Sequence, residues 1–127
     1  MGRMILVTAM AALVVAPAVG DAAGAKRGKA CPDGAVCLWS KSNYRGDREV
    51  IDKKGATNVS KALNNKASSV KNRGGGFAYL MDAKNGSSND DYQCMFEDEY
   101  PSLRDIGFNN RISSVLRPRP GDPKLIC

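Results

Sequence analysis

A seven-residue stretch occurs twice in this chain, and that repetition constrains the fold more than any other feature. Asn64-Asn65-Lys66-Ala67-Ser68-Ser69-Val70 returns 45 positions later as Asn109-Asn110-Arg111-Ile112-Ser113-Ser114-Val115, with five of seven residues identical and Lys replaced by Arg. The apolar runs Ala35-Val36-Cys37-Leu38-Trp39 and Phe77-Ala78-Tyr79-Leu80-Met81 stand 42 positions apart. Two copies of such a unit are too few for a solenoid or a propeller, which need three or more repeats. A pair of four-stranded β motifs packed face to face satisfies the pattern.

The segments between the repeats agree with this. Besides the two apolar runs, Arg48-Glu49-Val50-Ile51, Ser68-Ser69-Val70-Lys71, Tyr92-Gln93-Cys94-Met95-Phe96 and Ile112-Ser113-Ser114-Val115-Leu116 read as short strands. Clusters of Gly, Asn, Asp, Ser and Pro separate them, the punctuation of an all-β chain. Asn58 to Ala62 and the stretch after Pro101 are predicted to form single helical turns, and Gly74-Gly75-Gly76 marks the boundary between the halves.

The chain opens with Arg3 followed by the apolar run Met4 to Ala16, and Ala23-Gly24-Ala25 supplies a small-x-small cleavage pattern. This reads as a secretory signal peptide over residues 1–25, because the apolar run is too short to cross a bilayer core of about 30 Å. A basic N-terminal arm (26–34) is expected to follow, then the domain proper over 35–117. Its first motif is placed at about 35–73 and its second at about 77–117, with a C-terminal tail over 118–127. Cys31, Cys37, Cys94 and Cys127 are even in number, and in an oxidising compartment they form two disulfides. Three connectivities are open. Cys31–Cys37 with Cys94–Cys127 is favoured, since the first closes a short loop through Pro32, Asp33 and Gly34 and the second ties the tail to the body. The spacings lack the close cysteine pairs of zinc sites.

The chain of 127 residues contains no histidine, so Ser-His and Cys-His nucleophilic pairs and imidazole acid–base chemistry are excluded. The carboxylate groups Asp90-Asp91 and Glu97-Asp98-Glu99 sit in turn-rich sequence and read as solvated loop charges, so no enzyme is predicted. Nineteen Lys and Arg against thirteen Asp and Glu give a net charge of +6. The cations Lys26, Arg27, Lys29, Lys53, Lys54, Lys71 and Arg73 are not interleaved with aromatics as a base-stacking platform requires. A solvated basic face is therefore expected, with no specific nucleic-acid partner.

Trp39-Ser40-Lys41-Ser42-Asn43-Tyr44-Arg45-Gly46 spaces two aromatics and a glycine so that Tyr44 can fold over the hairpin onto Trp39. This resembles the folded-hairpin signature of the βγ-crystallin superfamily. The twice-occurring Asn-Asn-x-x-Ser-Ser resembles its calcium-binding motif, and the resemblance spans about residues 31–117. The second copy departs from it, since no aromatic-x-Gly follows Met81. The resemblance implies a disulfide-stapled sandwich of two Greek keys. It also implies calcium ligands: Asn65, the Lys66 carbonyl and Ser68 in one copy, Asn110, the Arg111 carbonyl and Ser113 in the other. Neither motif carries an acidic residue and each carries a cation, so binding is expected to be weak, roughly 10⁻⁴ M or poorer. Without metal, the same residues would shape turns and tie down the hairpins.

The Cys-Pro-x-Gly opening and the Val-Cys-Leu-aromatic strand are similar to secreted bacterial peptidase inhibitors of family I36. That resemblance implies a non-enzymatic metalloproteinase inhibitor, its target a secreted protease and its inhibitory loop at Cys94, Met95 and Phe96. Glu97-Asp98-Glu99-Tyr100 stands where that family has a second, loop-closing cysteine. The expected protein is secreted and monomeric, with no membrane span after signal cleavage. A calcium-stabilised structural or envelope protein and a killer-toxin-like antimicrobial are the alternative readings.

Overall fold

The computed structural model describes residues 30–96, 98–122 and 124–127. The expected signal peptide and the basic residues 26–29 lie outside them. Among the described residues there are eight strands: β1 (Val36–Lys41), β2 (Arg45–Ile51), β3 (Gly55–Asn58), β4 (Ser69–Asn72), β5 (Tyr79–Met81), β6 (Tyr92–Cys94), β7 (Glu99–Tyr100) and β8 (Ser114–Arg117). They form two antiparallel sheets, ordered β2-β1-β4-β7 and β3-β8-β5-β6. Each half thus keeps three strands in one sheet and lends its third strand to the other, which makes two Greek keys that cannot separate without breaking both sheets.

Five of the six predicted strands begin or end two or three residues from their expected positions, and two strands escaped prediction. Gly55-Ala56-Thr57-Asn58 and Glu99-Tyr100 each hold one strand-favouring residue, Thr57 or Tyr100, and no run of them. They are strands because β8 and β4 of the opposite halves supply ladder partners. The helical turn expected at Asn58 begins instead at Ser60, whose carbonyl accepts from the Leu63 and Asn64 amides at 3.0 and 2.8 Å. The turn expected after Pro101 is a 3-10 helix over Leu103–Ile106.

The apolar runs owe their lack of alternation to burial on both faces. Val36, Leu38, Val70, Leu80 and Val115 face the common interior with Leu63, Leu103, Phe108 and Ile112. The alternate residues of β1, Cys37 and Trp39, lie with Cys31 and Ala35 in a second cluster outside the first sheet. Their counterparts on β5, Tyr79 and Met81, form a third cluster with Cys94 and the tail residue Leu125. Disulfides Cys31–Cys37 and Cys94–Cys127 hold the segments that cover these outer faces, the pairing favoured above.

Each motif closes its first hairpin by the same device. The Ser69 hydroxyl donates to the Lys41 carbonyl at 2.6 Å and accepts from the Tyr44 amide at 3.0 Å. Ser114 does the same with the Ala83 carbonyl at 2.6 Å and the Gly86 amide at 3.0 Å. In the first hairpin Tyr44, at φ 59°, packs edge-on against Trp39 with ring centroids 5.2 Å apart. Burial first, and the Glu99 charge second, push its phenol up to about 12. Gly46, at φ 82°, lies where a Cβ would stand 2.2 Å from the Ser40 hydroxyl, so a side chain there would collide as well as strain.

The two serines are fully buried and their hydroxyls doubly engaged, so Ser69→Ala and Ser114→Ala should each lower stability by about 1–3 kcal/mol. Denaturant titration checks this, and a loss confined to one of the pair would show that the hairpins are not closed equivalently.

Candidate functional site

The repeated Asn-Asn-x-x-Ser-Ser segments meet back to back, and backbone hydrogen bonds run between them in reciprocal pairs. The Asn65 amide donates to the Ile112 carbonyl, and the Asn110 amide to the Ala67 carbonyl, both at 3.0 Å. The Val59 amide reaches the Ser113 carbonyl at 3.0 Å, and the Leu103 amide reaches the Ser68 carbonyl at 2.8 Å. Asn65 and Asn110, at φ 57° and 59°, make the same left-handed turn, a conformation that asparagine tolerates better than most residues.

Of the six residues proposed as calcium ligands, the structure joins two directly across the seam. The Ser113 hydroxyl donates to the Asn65 side-chain oxygen at 3.0 Å. Neighbouring Asn64 keeps a buried side-chain oxygen without a hydrogen-bond partner. Lys66 is exposed. Ser68 and Ser113 are nearly buried, and their amides donate to the equivalent carbonyls of Trp39 and Met81 at 2.8 Å each. Arg111 is committed elsewhere. Its guanidinium contacts the Asp82 and Asp91 carboxylates at 2.7 Å each and lies over the Phe108 ring at 4.9 Å. The hydrogen bonds it donates to Asp91 and Asp82 push its pKa further up.

That clamp is an interaction the sequence reading missed. Asp82 follows β5 and Asp91 precedes β6, and the Asp82 amide donates to the Asp91 carbonyl at 3.0 Å. The second hairpin has Gly86 where the first has Tyr44, so it has no aromatic corner; Arg111 closes its neck with charge instead. Arg117 was also unforeseen. Only 3% exposed, it donates to the Ile51 and Gly34 carbonyls at 3.1 and 3.0 Å and so ties β8 to the opposite sheet and to the N-terminal loop.

The expected inhibitory loop divides between interior and surface. Cys94 and Met95 are 5% and 3% exposed, and the Met95 amide donates to the Ala78 carbonyl at 3.0 Å, so both belong to the packed body. Phe96 is 67% exposed, with its ring centroid 6.2 Å from that of Phe77, which is 43% exposed. Of the basic residues, Arg73 is paired with Asp33, and Lys71 is paired with Glu99 at 3.6 Å and sits 4.2 Å over the Tyr44 ring. Among the described residues no group of three or more His, Cys, Asp or Glu is placed to hold a metal, and no helix is long and apolar enough to cross a membrane.

Two exchanged Greek keys with a symmetric Asn-Ser seam define a βγ-crystallin fold. A βγ-crystallin from an archaeon superposes with a TM-score of 0.55 at 22% identity, covering 68% of this chain and 99% of that one. A domain described under the evolution of the eye lens βγ-crystallin fold gives 0.57 at 24%, covering 70% and 90%. The Ca²⁺-bound βγ-crystallin domain of Abundant Perithecial Protein from Neurospora crassa gives 0.51 at 18%, covering 69% and 92%. The family model of peptidase inhibitor family I36 matches residues 24–92, more than half of the sequence, and the chain belongs to that family. No curated protein matches it.

If Arg111 is what closes the second hairpin, Arg111→Gln should speed exchange of the Asp82 amide without comparable change at Ser68. Amide hydrogen exchange followed by NMR reads both sites.

Proposed function

We propose that this protein is a secreted, non-enzymatic inhibitor of metalloproteinases. Membership of family I36 carries the reading, and the structure supports it by presenting a rigid apolar surface, Phe96 beside Phe77, next to a disulfide. A surface held in its binding conformation loses less entropy on association, which is what an inhibitor made of short strands and tethered loops provides. The burial of Met95 argues for inhibition by docking rather than by offering the Cys94–Met95 bond as a substrate. Purified protein should inhibit a thermolysin-like enzyme at micromolar concentration or below; undiminished proteolysis at that concentration would refute the reading.

A second reading is favoured by the seam itself. The Asn65 and Ser113 side-chain oxygens, the Lys66 carbonyl and the unpartnered Asn64 oxygen are neutral donors of the kind calcium accepts, so the donor set fits an ion there in chemical type. An ion would bridge the halves and stabilise the fold without taking part in inhibition. The Asp82 and Asp91 carboxylates are held by Arg111, so at the other end of the seam an internal cation already balances the charge. Millimolar calcium should raise the melting temperature modestly, and Ser113→Ala should remove the rise. A melting temperature indifferent to calcium would reduce the seam to turn chemistry.

A further inference from the structure

The outer face of the second sheet is built differently from that of the first, and the difference lies in what it leaves exposed. Phe77 occupies the position of Ala35 in the other copy; Ala35 is 1% exposed, whereas Phe77 is 43% exposed. Phe96, Phe77 and Tyr79 form an edge-to-face series with centroid separations of 6.2 and 5.0 Å, running from solvent to the buried Tyr79. They form one wall of a groove of about 460 Å³ whose other wall is the tail, with Arg119, Lys124 and Leu125. The tail is fixed to the body by the Cys94–Cys127 disulfide, by the Tyr92 hydroxyl donating to the Ile126 carbonyl at 2.7 Å and by Leu125 packed against Tyr79 and Met81, and it turns on itself where the Arg119 amide donates to Asp122 at 2.8 Å.

We propose that this groove is the surface on which the protein seats its peptidase, and that its occupant is an apolar side chain of the peptidase flanked by carboxylates. The inference rests on the inhibitory reading above and deepens it. Two large phenyl rings held at a monomer's surface are the kind of patch that marks a protein interface, and aromatic and arginine side chains supply most interface hot spots. The cations narrow the choice. Arg119 and Lys124 line the groove together with Asp122, and the Lys54 ammonium lies close to Gly76, beside Phe77. Such a rim attracts a partner whose apolar contact is bordered by acidic groups, and raises the association rate. Because the tail leaves β8 at Arg117 and is tethered again at its Cys127 end, the groove is formed before binding.

The test uses the whole secreted chain with thermolysin as probe, comparing wild type, Phe96→Ser, Lys124→Glu and, as a charge control outside the groove, Lys61→Glu. Phe96→Ser should raise the inhibition constant tenfold or more at unchanged melting temperature. Lys124→Glu should slow association severalfold in a salt-dependent way, and Lys61→Glu should do neither. Wild-type inhibition that survives both Phe96→Ser and Phe77→Ser overturns the groove while leaving the inhibitory reading intact. Absence of inhibition by the wild type overturns both. Phe96-dependent dimerisation, or Phe96-dependent binding to phosphatidylglycerol vesicles, with inhibition unchanged would assign the face to a second copy or to a membrane and overturn the proposal.

Discussion

The central strands of this sandwich are apolar on both sides, and much of the structure follows from that. β1 and β5 bury one set of side chains between the sheets and a second set outside them, so neither sheet can present its outer face to water. A chain of this size has little surplus with which to build covering layers. It uses short segments instead, the Cys31 loop over Trp39 and the C-terminal tail over Tyr79 and Met81, each held by a disulfide. The groove beside Phe96 exists because one of these covers is a tail that spans the face without filling it.

Duplication explains the framework, and its breaches explain the individuality of this chain. Backbone bonds of the seam recur with their partners exchanged, and Ser69 and Ser114 close the two hairpins alike. The halves diverge where side chains do the work. The first hairpin is closed by Tyr44 on Trp39, the second by Arg111 between Asp82 and Asp91, and Phe77 replaces Ala35 on the outer face. These departures gather on the second motif, which also carries the exposed aromatic surface.

What could be read in the sequence was what depends on local pattern. The repeat, the double-sided apolar runs, the Tyr44–Gly46 corner and the all-β class all follow from residue types at fixed spacings, and the structure has the favoured cysteine pairing. What could not be read depends on partners distant in the chain. β3 and β7 are strands only because the opposite half supplies their ladders. Arg117 looks like an ordinary exposed charge until the fold brings the Ile51 and Gly34 carbonyls to it. Met95 and Phe96 are both apolar in an apolar run, and only the end of β6 at Cys94 decides that one enters the core while the other leaves it. Phe77 was the exception: its alignment with Ala35 already showed a large ring where the other copy has a methyl group.

The claim on which the account turns is that the outer face of the second sheet depends on its tethered tail. Cys94→Ala combined with Cys127→Ala tests it, by denaturant titration together with binding of a dye that fluoresces on exposed apolar surface. Loss of the 33-residue loop constraint should cost roughly 3–4 kcal/mol, and the native variant should bind dye as Tyr79 and Met81 become uncovered. Unchanged stability with no dye binding would show that the face is closed without its tail, and would remove the physical basis for the groove.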